Sequence, residues 1–268
     1  MTVSYTCAAR RFDRAQMGEY LEALRNSYAS AEIIYRAENR VVIRWHRPDE
    51  RDSIIIKMWS RPDVMGKVRR MLRLASSDIE CRSLLRAGGL GVPVPHTFGS
   101  CPVLPTIAGY TDALFLEDLG ECELSTDHLK NLIHSGREQE ALHLEDAMID
   151  MAEIFLRAGM LDVDHGFANT LLRPSGQPVR LDLELARRVF WPRLFPGMFG
   201  QMLGRMIGMH AFAVQPDTHR TERFAQRLLA RIQPPRRALT KASTYARAML
   251  QKQRAETGID TSLTLPWD

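Results

Sequence analysis

Residues 161–186 read L-D-V-D-H-G-F-A-N-T-L-L-R-P-S-G-Q-P-V-R-L-D-L-E-L-A. Asp164 is followed five residues later by Asn169, and Asp182 comes thirteen residues after that. Two short β-prone pieces, 169–172 and 179–183, flank the turn formers Pro174, Ser175 and Gly176, which predicts a tight hairpin. Such a hairpin carries an amide oxygen at 169 and a carboxylate at 182 to one end. Two hard oxygen donors meeting there suit Mg²⁺, which keeps waters and shares phosphate oxygens. Asp164 is close enough in the chain to accept or orient a proton from a hydroxyl nucleophile. Singly, each of the three is an ordinary turn residue. Their joint spacing beside paired apolar residues is far more specific, and it points to phosphoryl transfer. His165 reads as a hydrogen-bonded loop residue rather than a catalyst.

Upstream, residues 31–35 and 40–45 are β-prone runs around Glu38-Asn39, which predicts a hairpin, and 48–52 is a charged turn. Residues 53–59, S-I-I-I-K-M-W, form a strongly β-prone strand with Lys57 in its middle. A lysine among three isoleucines, a methionine and a tryptophan is expected to be buried, and a buried ammonium needs a counter-charge. Glu80 is the expected partner, with Asp78 and Glu50 as competitors. Residues 68–86 suit one or two amphipathic helices ended by Gly88-Gly89, and Val92-Pro93-Val94-Pro95 is held extended by its prolines. Strands are expected near 96–101 and 113–116, followed by a link at Glu117-Asp118-Leu119-Gly120. Beyond 120 the chain reads mainly as helices, including 139–158, with a loose final dozen residues. The expected organisation is a β-rich front lobe, 1–119, and a helical rear lobe, 120–268.

The 268 residues are 45% hydrophobic and 25% charged, ordinary for a soluble globular protein. Cys7, Cys81, Cys101 and Cys122 lack C-x-x-C spacing, which argues against a zinc site and fits a reducing compartment. Residues 1–11 hold no apolar signal segment, and the most apolar run, 194–214, is broken by Pro196, glycines and Arg205. From Leu185 onward there are 14 Lys+Arg against 5 Asp+Glu. A basic rear third suits phosphates, anionic lipid or simply a solvated surface. Arg187, Arg188 and Arg193 could receive an anionic acceptor or lipid headgroup. Met198, Met202, Met206 and Met209 follow a helical period and read as core packing. The basic residues lack aromatic interleaving in a recognised nucleic-acid motif, so no nucleic-acid partner is expected.

The Asp164…Asn169…Asp182 run resembles the catalytic and metal-binding loops of protein-kinase-like enzymes. The other pieces then fall in order. Lys57 in I-I-I-K matches the strand lysine of V-A-I-K, Glu80 the helix glutamate that pairs with it, and 114–119, L-F-L-E-D-L, the hinge beside the adenine. The run L-R-A-G-G-L-G-V-P-V-P, the hinge F-L-E-D-L-G, and L-D-L-E-L-A in place of Asp-Phe-Gly are most similar to bacterial lipopolysaccharide core kinases acting on Kdo or heptose. Aminoglycoside and choline phosphotransferases share several of these features. The resemblance implies a two-lobed α+β kinase-like fold with ATP between the lobes and Mg²⁺ on Asn169 and Asp182. It implies catalysis by Asp164, Lys57 and Glu80, and nucleotide contacts from Lys57 and from the backbone of Glu117 and Leu119. It also implies a sugar or glycolipid acceptor and a cytoplasmic protein in contact with the inner-membrane surface. A soluble-metabolite or protein kinase, and a kinase-like binding module without turnover, are the alternatives. Three departures stand out: no G-x-G-x-x-G precedes Lys57, residue 162 is Asp rather than His, and Glu184 replaces the last glycine of Asp-Phe-Gly.

Overall fold

The computed structural model describes residues 12–46, 52–61, 63–72, 74–258, 263 and 265–267. They divide into two units, the described residues up to 86 with 95–120, and 87–94 with the described residues from 121 onward. Cys7, Glu50 and most of the charged turn at 48–52 lie outside the described residues.

The first unit opens with a helix that the β-rich reading of the front does not contain. Helix α1 (Arg14–Ser27) starts in a capping box: Asp13 Oδ1 accepts from the Gln16 amide at 2.8 Å, and Gln16 Oε1 accepts from the Asp13 amide at 3.0 Å. Only Tyr20, Leu21 and Leu24 are buried along it, so its apolar stripe is narrow and easily missed. Strands β1 (Glu32–Ala37) and β2 (Arg40–His46) form the predicted hairpin, with Ala37 opposite Arg40. β3 (Ser53–Trp59) pairs with β2. Helices α2 (Val64–Met71) and α3 (Ser76–Gly89) follow, then β4 (Thr97–Ile107) and β5 (Tyr110–Glu117). The five strands form one antiparallel sheet in the order β1-β2-β3-β5-β4. Period two sends Val41, Ile43 and Trp45 from β2, and Ile54, Ile56 and Met58 from β3, into one core with the α1 residues. Phe12 stacks on Tyr20 and Phe98 at 4.4 and 4.7 Å, closing that core.

The second unit is mainly helical. Strand β6 (Glu123–Leu124) leads into α4 (Ser125–His134) and α5 (Glu138–Arg157), the latter close to the predicted span. β7 (Met160–Asp162), β8 (Thr170–Leu172), β9 (Pro178–Arg180) and β10 (Ala186–Arg188) are short. β8 and β9 make the expected hairpin with β6 on its other edge, while β7 pairs with β10. Three helices complete the unit, α6 (Pro196–Ala213), α7 (Thr218–Ile232) and α8 (Arg236–Thr257). Met202, Met206 and Met209 are buried, as the helical period predicts, while Met198 at the start of the helix is half-buried. Among the described residues no helix is long and apolar enough to cross a membrane.

α6 and α8 run side by side in the same direction along a ridge of small residues. A Cβ on Gly200 would stand 2.5 Å from Ala238 O, on Gly204 2.6 Å from Ala242 O, and on Gly208 2.3 Å from Met249 Cε. Ala238, Ala242 and Ala246 are fully buried opposite them. The backbones approach closely because the glycines of α6 put no side chain between them and the alanines of α8. The chain end is better anchored than its composition suggests: Leu265 is buried, and Trp267 Nε1 donates to Ser243 Oγ at 2.8 Å.

A buried polar cluster joins α5, α6 and α7. The Glu145 carboxylate accepts from His210 Nε2 at 3.0 Å and Arg220 Nε at 2.7 Å, and also from Arg227. His210 Nδ1 lies 3.1 Å from Thr221 Oγ1, and its ring stacks on Phe224 at 4.2 Å. Burial works to raise the Glu145 pKa, but the His210 hydrogen bond and the Arg220 charge overcome it and hold it at about 2. Burial lowers the His210 pKa and keeps the imidazole neutral.

Candidate active site

Period two along β3 puts Lys57 on the face opposite Ile56 and Met58. Lys57 is buried, and its Nζ donates to Glu80 Oε1 at 2.6 Å and Oε2 at 2.8 Å. Glu80 comes from α3, where Ser77, Glu80, Cys81, Leu84 and Ala87 share the buried face at helical spacing. The Trp59 ring centre lies 5.6 Å from the same ammonium. Dehydrating either ion costs several kcal/mol, so each depends on the other at this depth. Asp78, one competitor, instead accepts from Ser100 Oγ at 2.8 Å.

The residues expected to form the hinge are fixed by their neighbours. The Glu117 amide donates to His96 O at 2.8 Å, and its carboxylate accepts from the His96 amide at 2.9 Å. Asp118 accepts from Arg44 Nε at 2.6 Å, from Ser53 Oγ, and from the Gly120 amide at 2.9 Å. Burial works to raise the Asp118 pKa, but these hydrogen bonds prevail and lower it. Leu119 lies between Asp118 and Gly120, which the Asp118 carboxylate joins, and Gly120 takes φ +71°, a left-handed turn that suits glycine.

In the second unit the loop from β7 to β8 brings Asp164 and Asn169 together. Asn169 Nδ2 donates to Asp164 Oδ2 at 2.7 Å and to Asp164 O at 3.1 Å. With its NH₂ turned to the carboxylate, the Asn169 amide keeps its oxygen Oδ1 as an acceptor for a hard cation. The Leu181 amide donates to Asn169 O at 2.9 Å, which ties the residue before Asp182 to Asn169. Strand β9 stops at Arg180, short of the expected 183. Asp182 adopts φ +52°, and a left-handed residue cannot continue the ladder. Asp is among the few side chains that tolerate this conformation, and such strain is typical of functional positions.

Two arginines that the motif reading does not include complete the loop. Arg180 is fully buried, and its Nε and Nη2 donate to Asp162 Oδ2 at 2.9 and 2.6 Å. The same guanidinium donates to Asn169 O at 2.7 Å, to Asp164 O at 3.0 Å and to Leu181 O. One planar fork therefore fastens three carbonyls of the site to Asp162. That accounts for Asp at 162: the loop is held by an ion pair rather than a histidine. Burial works to raise the Asp162 pKa, but the Arg180 charge outweighs it and keeps it low. A basic residue inside the apolar V-R-L of β9 is the sequence signal for this role. Arg205, the lone cation in M-L-G-R-M-I of α6, places Nε 3.0 Å from Asp164 Oδ1. His165 is buried with Nε2 3.1 Å from Met148 O, the loop contact expected of it.

Thus Lys57 and Glu80 meet within the first unit, and Asp164 and Asn169 meet within the second with Asp182 tethered beside them. No protein-family model matches the chain, and no curated protein does. Among solved structures it is similar to WaaP in complex with acyl carrier protein, at 15% identity and a TM-score of 0.52. The match covers 87% of this chain and 92% of that one. The likeness establishes the fold, and the two-lobed kinase-like class expected from the sequence is the class observed.

Proposed function

We propose that this chain is an ATP-dependent phosphotransferase acting on a sugar hydroxyl, with a Kdo or heptose residue of the lipopolysaccharide core as the preferred acceptor. The observation that carries the reading is the Asp164–Asn169 hydrogen bond of 2.7 Å, with Asp182 held beside Asn169 through the Leu181 amide. Lys57, braced by Glu80, binds the α- and β-phosphates as a fixed positive charge. The backbone of Glu117 and Leu119 meets the adenine. Asn169 Oδ1 and the Asp182 carboxylate are the groups that would hold Mg²⁺, which would neutralise charge on the phosphates. Asp164 accepts a hydrogen bond from the acceptor hydroxyl, orients it and takes its proton as oxygen bonds to the γ-phosphorus and ADP leaves. Arg205 acts through Asp164: it holds Oδ1 while Asn169 holds Oδ2, so the carboxylate cannot rotate away. Most of the rate comes from positioning and charge neutralisation.

The turn before Lys57 favours one other reading, a kinase-like module without turnover. Glu38-Asn39 is a two-residue turn with neither glycine nor positive φ, so it offers no glycine-lined cradle for phosphates. A transfer assay decides between them. The protein is incubated with γ-labelled ATP and, in parallel, core lipid carrying Kdo and heptose, soluble sugars, aminoglycosides and choline. Label is expected in the core lipid, lost in purified Asp164→Ala and Asp182→Ala that retain the fold. Label in a soluble acceptor alone would move the assignment to a small-molecule kinase. Nucleotide binding without transfer to any acceptor would favour the module, and full turnover by Asp182→Ala would remove the metal role.

A further inference from the structure

Just past Asp182, residues 185–195 read L-A-R-R-V-F-W-P-R-L-F. Phe190, Trp191 and Leu194 are 84%, 69% and 68% exposed, and Leu185 and Phe195 are exposed as well. Scattered exposed apolar residues are ordinary, but five within eleven positions, three of them aromatic, are not. The stretch is also firmly held. Ala186–Arg188 pair with β7, the Val189 amide donates to Gly159 O at 2.7 Å, and residues 192–194 form a single 3₁₀ turn into α6. The apolar side chains are therefore presented by a fixed backbone rather than by a loop that could fold them away.

The charged side chains within the stretch have one sign. Arg187, Arg188 and Arg193 are exposed within the stretch, and the Arg188 guanidinium sits 5.7 Å over the Phe190 ring. No acidic residue occurs from Leu185 to Pro216, or from Arg223 to Ala255. The glycine ridge sets Gly200 of α6 beside Ala238 and Lys241 of α8, so the starts of the two helices lie at the same end. Exposed Arg236, Arg237 and Lys241 therefore stand at the end of α6 that continues from Phe195. Both helices also direct their positive dipole ends there.

We propose that residues 185–195, with the starts of α6 and α8, form a docking surface for an anionic lipid bilayer. Aromatic and aliphatic side chains settle at the boundary between headgroups and acyl chains while the arginines bind lipid phosphates. Charge alone would suit an acidic protein or a polynucleotide equally. The largely exposed Phe190, Trp191 and Leu194 beside the arginines favour lipid, because a bilayer surface pairs an apolar phase with the phosphates that the arginines bind. The inference deepens the glycolipid reading by naming the surface that meets the membrane, and it is tested without ATP or transfer.

The experiment is sedimentation with vesicles of equimolar phosphatidylglycerol and phosphatidylcholine, against vesicles of phosphatidylcholine alone, with tryptophan emission as a second readout. Trp45 and Trp59 are buried and Trp267 is hydrogen-bonded, so a change on binding reports mainly Trp191. Binding to the anionic vesicles with blue-shifted emission is expected. Phe190→Ser/Trp191→Ser should weaken partition by about tenfold or more while nucleotide binding and thermal midpoint are kept. Arg188→Gln/Arg193→Gln should also weaken it by about tenfold. No binding, equal binding to neutral vesicles, or binding without an emission change would overturn the proposal. So would saturable binding of polyuridylate or of an acidic carrier protein that the Phe190/Trp191 change abolishes while vesicles do not bind. Vesicle binding with no transfer to any acceptor would sink the kinase reading and leave this one standing.

Discussion

The Lys57–Glu80 and Asp162–Arg180 pairs are both buried ion pairs, but they are built differently. Lys57 and Glu80 project from a regular strand and a regular helix and meet through two hydrogen bonds of 2.6 and 2.8 Å. Arg180 and Asp162 sit at the ends of three-residue strands, and the guanidinium also satisfies the carbonyls of Asp164, Asn169 and Leu181. The first pair presents one charge. The second holds the shape of a loop whose other residues carry the proposed chemistry. Burial alone therefore does not separate a residue that acts on a ligand from one that positions others; the partners do.

The largest effect expected is on the second pair. Arg180→Met leaves Asp162 buried without its cation and takes one hydrogen bond from each of three carbonyls, so unfolding free energy should fall by about 3–5 kcal/mol, with transfer lost. Denaturant unfolding checks this, and a change below about 1 kcal/mol would mean that Arg180 does not hold the loop. Glu145 gives a third buried carboxylate for comparison, this one far from the hairpin in sequence. Its pKa is about 2 when folded against an ordinary 4.5, so its stabilisation is present above 4.5 and is lost as pH falls toward 2. That loss should be on the order of 3 kcal/mol. His210, lowered from its ordinary 6.5, adds an earlier decline below about pH 6.5, because the unfolded chain takes up the proton first. Unfolding free energies across pH should show both phases, with Glu145→Gln flattening the acid one.

Glu80→Gln should be milder than Arg180→Met, since the amide still accepts from Lys57; a loss of about 1–3 kcal/mol is expected. Its sharper mark should be a raised KM for ATP, because an unbraced ammonium holds phosphates less well. A kcat defect with KM unchanged would place Glu80 elsewhere in the reaction. The smallest stability effect should come from Arg205→Gln, since both partners remain a quarter to a third exposed and such pairs contribute under about 1 kcal/mol. Turnover should nonetheless drop by about tenfold as Asp164 loses one of its two restraints. An unchanged kcat would reduce Arg205 to a surface contact.

The comparison also explains what was legible in the chain. Period two around Lys57, the hairpin at 169–182 and the long stripe of α5 follow local rules, so they appear in the residues themselves. Arg180 and Arg205 show locally only as lone cations in apolar runs; which residues they pair with is not legible, because those partners lie 18 and 41 positions away. Helix α1 is hard to see in the sequence because its buried stripe is only three residues, and the early stop of β9 because it depends on one left-handed backbone at Asp182. The buried Leu265 and hydrogen-bonded Trp267 are contacts that only the folded chain supplies.

The glycine ridge has a practical consequence for anyone who shortens or fuses this chain. Gly166 and Arg205 touch, since a Cβ on the former would meet Arg205 Cγ at 3.5 Å, and α6 is seated in turn by the alanines of α8. Removing α8 would expose a furrow sized for backbone, and solvent would replace the wall that keeps α6 against Gly166. A tag or deletion within residues 236–257 would thus be felt at Asp164, even though that aspartate lies some seventy positions earlier in the chain.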